Sequence, residues 1–389
     1  QARLEVFGQE LNAETYAICR SDMMLKGEDA TNIVFGNSFS EDGHQGAKFD
    51  YLLANPPFGV EWKKVKDVVE AEHNTQGFAG RFGAGLPRIN DGSFLFLQHM
   101  ISKMKRPKDG GSRLAIVFNG SPLFTGAAGS GESEIRRWII ENDWLDAVVA
   151  LPDQLFYNTG ISTYFWIVTN RKARHRKGNV QLIDARDSFT KMRKSLGEKR
   201  KQIADDQIAD IVRCYGDFET NDRSKVFRNE DFGFLRITVE RPLRVRWEIT
   251  DDTLYALDSD RKLAKLDVQQ RVALVDALRP SLGTAARPDR EIRRIVKSAM
   301  ATVGLTGKAI ENAIVDAFAI TDPDAPIITD NKSQPVPDPD LRDAENVPLS
   351  VDAVGHTRYE PDPTQRLGTR PYLELIDRYL ADEVHPYVP

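Results

Sequence analysis

Asp50-Tyr51-Leu52-Leu53-Ala54-Asn55-Pro56-Pro57-Phe58-Gly59 is the stretch from which the fold is read. An apolar run of strand length stops abruptly at Asn55. Proline has no amide hydrogen and a fixed φ, so Pro56-Pro57 can neither extend a strand nor enter a helix interior. The Pro56 carbonyl is therefore left without a ladder partner, beside the Asn55 amide and the ring of Phe58. A rigid, acceptor-rich corner at the carboxyl end of a strand is where open α/β sheets place their ligands. Two acceptors, Asn55 Oδ1 and the Pro56 carbonyl, suit an amine with two N–H bonds. Holding both hydrogens draws the nitrogen towards tetrahedral geometry and frees its lone pair. Phe58 can stack on a flat ring. The bland alternative is a Pro-Pro turn after a strand.

These residues resemble the Asn-Pro-Pro-Phe/Tyr motif of amino-methyltransferases that act on adenine N6. The resemblance implies catalytic roles for Asn55, Pro56, Pro57 and Phe58. It also implies a base that leaves the duplex to reach them.

Upstream, residues 3–10 read as a strand ending at Glu10, followed by a helix over 13–25 with Asn12 as its N-cap. Residues 30–35 read as a second strand running into Gly36-Asn37-Ser38-Phe39. An acidic residue at the end of the second strand of a nucleotide-binding half-sheet holds ribose hydroxyls. Glu10 fits that role towards S-adenosylmethionine, the cofactor that the resemblance implies. Asn37, Ser38 and Phe39 occupy the turn that usually offers an Asp to the cofactor's adenine. Asn37 departs from that pattern by lacking the charge. With Glu10 ahead of Asn55, the glycine-rich cofactor turn is expected upstream of Gln1, together with the first strand. Gly126 to Gly131 mimics such a turn, but Asn119 to Thr125 separates it from the preceding strand, which ends without an acid.

Downstream, Gln76 to Pro87 contains four glycines and reads as a mobile loop beside the site. A helix is expected over 91–105, a strand over 114–118, a helix over 132–142, and strands over 144–151, 163–169 and 179–185. Arg171 to Lys177 is a basic run, read as solvated with DNA phosphate as its alternative contact. Residues 189–215 read as polar and helical, 236–250 as an edge or broken strand, and three further helices follow Asp267, Pro288 and Thr306. Asp322 to Asp340 carries five Pro and five Asp and reads as a linker. The expected domains are 1–175 (catalytic), 176–250 (strand and helix extension), 251–320 (helical), 321–345 (linker) and 346–389 (helical tail).

The 389 residues are 41% hydrophobic and 29% charged, an ordinary globular composition. A net charge of −5 argues against a protein that grips nucleic acid unaided, because that affinity comes from clustered Lys and Arg. Cys19 and Cys214 make no disulfide framework, and the six histidines are too scattered to suggest a metal. No run approaches the roughly 18 apolar residues of a membrane span.

A wider resemblance joins these pieces. Gly8-Gln9-Glu10 with Met23 to Gly27, then Ile135-Arg136, Leu151-Pro152, Leu155 to Ile161, Phe232-Gly233-Phe234 and Thr238 to Leu243 are similar to the modification subunit of type I restriction–modification systems. The likeness covers most of residues 1–250 and returns weakly at 346–349 and 383–389. It implies a class I S-adenosylmethionine-dependent methyltransferase sheet of Rossmann-like α/β type, incomplete at its N-terminal part, with a mainly helical C-terminal extension. It implies double-stranded DNA as substrate and a specificity subunit that reads it. A second copy of the modification subunit is a further partner, a restriction subunit a candidate one, and the cytoplasm of a bacterium or archaeon the location. Two alternatives stand beside it: a protein-glutamine methyltransferase, whose amide offers the same N–H pair, and a truncated, non-catalytic subunit acting only in assembly.

Overall fold

A computed structural model describes residues 4–157, 159–259, 263, 266–349, 359–360 and 362–387. The chain divides into two compact units, residues 1–235 with 347–389 and residues 236–346.

In the first unit, β1 (Gly8–Glu10) pairs in parallel with β2 (Ile33–Phe35) to form a separate two-stranded sheet. Between them runs α1 (Ala13–Leu25), opened by Asn12, whose side chain accepts the Thr15 amide hydrogen. The first strand is shorter than expected, and residues 30–32 form a 3-10 turn instead of strand.

The main sheet contains β3 (Tyr51–Ala54), β4 (Arg113–Phe118), β5 (Leu145–Ala150), β6 (Tyr164–Thr169) and β7 (Asn179–Asp184). Next in the chain come β8 (Thr190–Leu196) and β9 (Lys199–Gln202), which form their own hairpin, and β10 (Ser224–Arg228), which returns to the main sheet. The sheet order is β10-β7-β5-β6-β4-β3. Strands β3, β4, β5 and β7 run one way, and β6 and β10 run against them. This topology meets the expectation of a class I methyltransferase sheet, with an antiparallel strand inserted between parallel ones.

The strand sequences account for their positions. Leu114-Ala115-Ile116-Val117-Phe118 is an uninterrupted apolar run, as a strand buried on both faces requires. Neighbouring residues point to opposite faces. Helices α2 (Lys66–Gln76) and α3 (Ser93–Ser102) precede β4, and α4 (Ser121–Phe124) and α5 (Gly131–Glu141) follow it. Val148 packs with α3 and α5 through Phe94, Leu97, Ile101, Ile135 and Ile139. Val149 packs the other way, against Ile211, Cys214 and Tyr215 of α6 (Asp205–Asp217). Each such large apolar side chain, fully buried, contributes roughly 1.5–3 kcal/mol.

The α6 face also carries a buried polar cluster. Arg176 Nε donates to Asp146 Oδ1 at 2.8 Å, its Nη2 donates to Gln181 at 3.0 Å, and the Tyr215 hydroxyl donates to the other Asp146 oxygen. Burial first, then the hydrogen bond to Asp146, pushes the Tyr215 hydroxyl up to about 12. The expected solvated basic run is thus partly internal. Lys172 is likewise buried and bridges to Asp143 at 2.6 Å.

The main sheet takes in β7 and β10, so the expected boundary near residue 175 falls inside the sheet. The hydrogen-bonding needs of the β5 edge account for that, since β7 continues its ladder in parallel register. Residues 190–202 form a hairpin instead of helix, the helix beginning only at Asp205. The C-terminal tail is helical over Pro363–Leu367 and Arg370–Tyr379. It packs on the first unit, where Arg137 donates to the Glu360 carbonyl and lies 4.6 Å from the Tyr359 ring.

The second unit has its own core, in which Leu254, Leu274, Leu278, Ile292, Val296, Ile314 and Phe318 meet. Here the expected linker is ordered. Asp330 accepts amide hydrogens from Lys332 and Gln334, and Pro337–Pro348 forms a long strand paired with Phe234–Pro242. Asp322, Asp330 and Asp338 each accept the amide hydrogen two residues on and so cap turns.

Candidate functional site

Strand β3 delivers Asn55 to the carboxyl end of the main sheet, next to the end of β4, with Ala54 opposite Ile116. Pro56 is buried, Phe58 half-buried, and Asn55 and Pro57 exposed. Neither the Asn55 side chain nor the Pro56 carbonyl has a hydrogen-bond partner among the described residues. Both acceptors remain available, as the double proline predicts. The chain leaving the motif is pinned: the Gly92 amide donates to the Val60 carbonyl at 2.8 Å, and Trp62 Nε1 donates to the Arg88 carbonyl at 2.9 Å.

Phe58 does not stand alone. The loop after β5 brings Phe156 edge-on to it, with ring centroids 6.4 Å apart and planes at 89°. Two aromatic rings beside two free acceptors suit a flat, amine-bearing ring. Sequence reasoning did not assign Phe156 to the site. Its only signal was membership of the Leu155 to Ile161 segment.

The four residues expected to hold cofactor lie together at the ends of β1 and β2, where the Gly36 amide donates to the Glu10 carbonyl at 3.0 Å. Glu10 Oε1 accepts the Asn12 amide hydrogen at 2.7 Å, and Oε2 has no hydrogen-bond partner among the described residues. Asn37 Oδ1 is taken by the Phe39 amide at 2.9 Å, so its acceptor shapes the turn. Ser38 is half-buried. Phe39 departs from expectation. Its side chain is buried among Trp62, Val69, Phe82 and Leu95, because the turn rotates it into that core.

Arg81 holds this turn in place. It donates from Nη1 to the Ser38 carbonyl at 2.6 Å and from Nη2 to the Phe39 carbonyl at 2.8 Å. The same guanidinium forks onto Glu72 at 2.6 and 3.0 Å and reaches His99 Nδ1 at 3.2 Å. Burial pushes the Glu72 carboxyl up, but the hydrogen bonds from Arg81 outweigh it and leave the pKa below its ordinary value. Burial, and then the Arg81 charge, lower His99 to about 4. Lys103 closes the cluster by pairing with Asp42 and donating to the His44 carbonyl. Arg81 lies inside the glycine-rich stretch read as a mobile loop. That stretch is packed, since Phe82 is fully buried and a Cβ at Gly83 would lie 2.5 Å from the Gly77 carbonyl carbon.

The second glycine cluster serves packing as well. Ser130 caps α5, Arg136 donates to the carbonyls of Pro122, Thr125 and Gly126, and a Cβ at Gly131 would come 1.8 Å from the Leu86 carbonyl oxygen. These glycines let two backbones touch.

Comparison with known proteins follows the same lines. Residues 1–232 match the N-6 DNA methylase family. The methylase subunit of the type I restriction enzyme HindI from Haemophilus influenzae is 30% identical over 219 residues, covering 55% of this chain and 43% of its own length. That of MjaIX from Methanocaldococcus jannaschii is 26% identical over 236 residues, covering 60% of this chain and 39% of its own. A solved type I restriction-modification methyltransferase subunit from Streptococcus thermophilus aligns with a TM-score of 0.48 at 28% identity, covering 58% of this chain and 45% of that one. The chain thus spans less than half the length of these relatives.

Proposed function

The chain belongs to the N-6 DNA methylase family, and from that premise we propose that it carries the reaction centre of a site-specific adenine-N6 DNA methyltransferase. One observation carries the reading: two unpartnered acceptors, Asn55 Oδ1 and the Pro56 carbonyl, at a strand end flanked by Phe58 and Phe156. An adenine amine within a duplex is paired, so the base must leave the stack to bring both hydrogens to these acceptors. Asn55 and Pro56 then hold the two N–H bonds, and the rigid Pro56-Pro57 turn fixes their spacing. Phe58 stacks on the ring, and Phe156 supports Phe58 from its edge. The work is positioning, and the amine loses its proton to water without a dedicated base.

S-adenosylmethionine, when bound, supplies the electrophilic methyl group. The residues fit it in part. The open Oε2 of Glu10 can accept from ribose hydroxyls, and the Asn37-Ser38 turn, braced by Arg81, can border the adenine. Phe39 offers no side chain to it.

The names of the relatives, methylase subunits of type I restriction enzymes, support a reading of substrate and partners. The assembly contains double-stranded DNA, a specificity subunit, a second modification subunit and, as a further partner, a restriction subunit. It works in the cytoplasm of the cell. The names of these relatives favour DNA over a protein glutamine as methyl acceptor.

The test is Asn55→Ala in the full-length protein with its partner subunits. Methyl incorporation into duplex DNA should fall by roughly a hundredfold or more, the scale of a misplaced reacting atom. S-adenosylmethionine affinity should be unchanged. An Asn55→Ala enzyme that methylates at near the normal rate refutes the assignment.

A further inference from the structure

The β8–β9 hairpin concentrates exposed positive charge in an acidic chain. Residues 190–202 carry Lys191, Arg193, Lys194, Lys199, Arg200 and Lys201 against the single Glu198, in a chain whose net charge is −5. Lys191 stands directly opposite Lys201 across the ladder, and like charges so placed destabilise a hairpin. Lys201 is engaged by Asp153 and lies over the Phe189 ring. Lys191, Arg193, Lys194 and Arg200 are exposed and form no ion pair among the described residues.

Backbone contacts join this hairpin to the loop that carries Phe156. The Glu198 amide donates to the Tyr157 carbonyl at 3.0 Å, and the Arg200 and Lys201 amides donate to the Gln154 carbonyl at 3.0 and 3.2 Å. Gly197 has a φ of +61° and approaches so closely that a Cβ there would lie 2.6 Å from the Tyr157 oxygen. The segment so gripped, 154–157, includes Phe156, whose ring meets Phe58. The exposed cations are therefore tied to the aromatic edge where the base is held.

We propose that this hairpin is a phosphate-contacting arm that engages the DNA backbone beside the extruded base; the inference rests on the function proposed above. Lys191 to Lys194 spans about 10 Å of strand, long enough to reach neighbouring phosphates of one DNA strand. Such contacts supply sequence-independent affinity and hold the duplex in register while the base is out. They also reconcile an acidic chain with a DNA substrate, by placing the cations where the backbone passes.

The experiment uses the full-length protein with its partner subunits and the fourfold variant K191Q/R193Q/K194Q/R200Q. Binding to a duplex containing the methylation site, and to one of scrambled sequence, is followed by fluorescence anisotropy over a salt series. The slope of log affinity against log salt should become shallower by about 0.9 for each phosphate that is no longer neutralised, up to roughly 3 to 4 in all. Affinity for both duplexes should fall by the same factor, and S-adenosylmethionine KM should stay constant. The charge-conserving variant K191R/R193K/K194R/R200K should keep the wild-type slope. An unchanged slope in the fourfold variant, or a loss confined to the site-bearing duplex, overturns the arm. If the wild-type assembly methylates adenine while that slope is unchanged, the function stands and the arm falls. If it methylates no adenine, the proposed function itself fails.

Discussion

His99 should make the Asn37–Phe39 turn acid-sensitive. It lies in the cluster formed by Arg81, Glu72, Asp42 and Lys103, and its pKa is about 4, against an ordinary value of 6.5. The folded value lies below the unfolded one, so the unfolded chain takes up the proton first as pH falls. The stability contributed by neutral His99 is therefore complete above pH 6.5 and is lost as pH falls from 6.5 through 4. The whole shift corresponds to about 3 kcal/mol, of which about 2 kcal/mol is gone by about pH 5. Glu72 and Asp42 are held below their ordinary 4.5 and 3.8, so their contributions persist at pH 5 and disappear only in stronger acid. His99→Gln keeps an acceptor for Arg81 and removes the titration. Urea unfolding followed by tryptophan fluorescence reads the first unit, which holds Trp62, Trp138, Trp144 and Trp166 of the five tryptophans. Between pH 7.5 and about pH 5 the wild type should lose about 2 kcal/mol more than His99→Gln. Because Arg81 links His99 to the Ser38 and Phe39 carbonyls, S-adenosylmethionine affinity should decline over the same window in the wild type alone. Parallel pH profiles for the two proteins would refute the reasoning.

Two further outcomes concern packing. Arg176→Met strands Asp146, only 1% exposed, without its cation, and should lower stability by about 3 kcal/mol or more in chemical denaturation. The double variant Asp146→Leu/Arg176→Met should lose less than Arg176→Met alone, and a larger loss would mean the apolar pair does not fit the site. Gly131→Ala drives a methyl into the Leu86 backbone and should cost about 2 kcal/mol. Wild-type thermal stability in that variant would show that the two backbones can separate.

Local sequence determined much of this protein. The apolar run ending in Asn55-Pro56-Pro57-Phe58 specified a strand with two free acceptors at its end, because proline chemistry is local. Asn12 specified the start of a helix, and the unbroken apolar run at 114–118 specified a central strand. Periodicity reports which side is buried within a few turns of chain, and it did so here. What it could not report were meetings between distant residues. The charge and polarity of residues 189–202 suit a solvated helix and a hairpin equally well. The Gln154 and Tyr157 carbonyls, some 40 residues upstream, help select the hairpin. Arg81 looks like a surface residue in a glycine loop until Ser38, Glu72 and His99 close around it. Phe39 reads as a cofactor contact, yet the turn rotates it into a core built from residues 62–95. The glycines at 126–131 imitate a cofactor turn, and Gly131 is there because Leu86 leaves no room for a Cβ. In each case the deciding atom is remote in sequence, and only the folded chain brings it within reach.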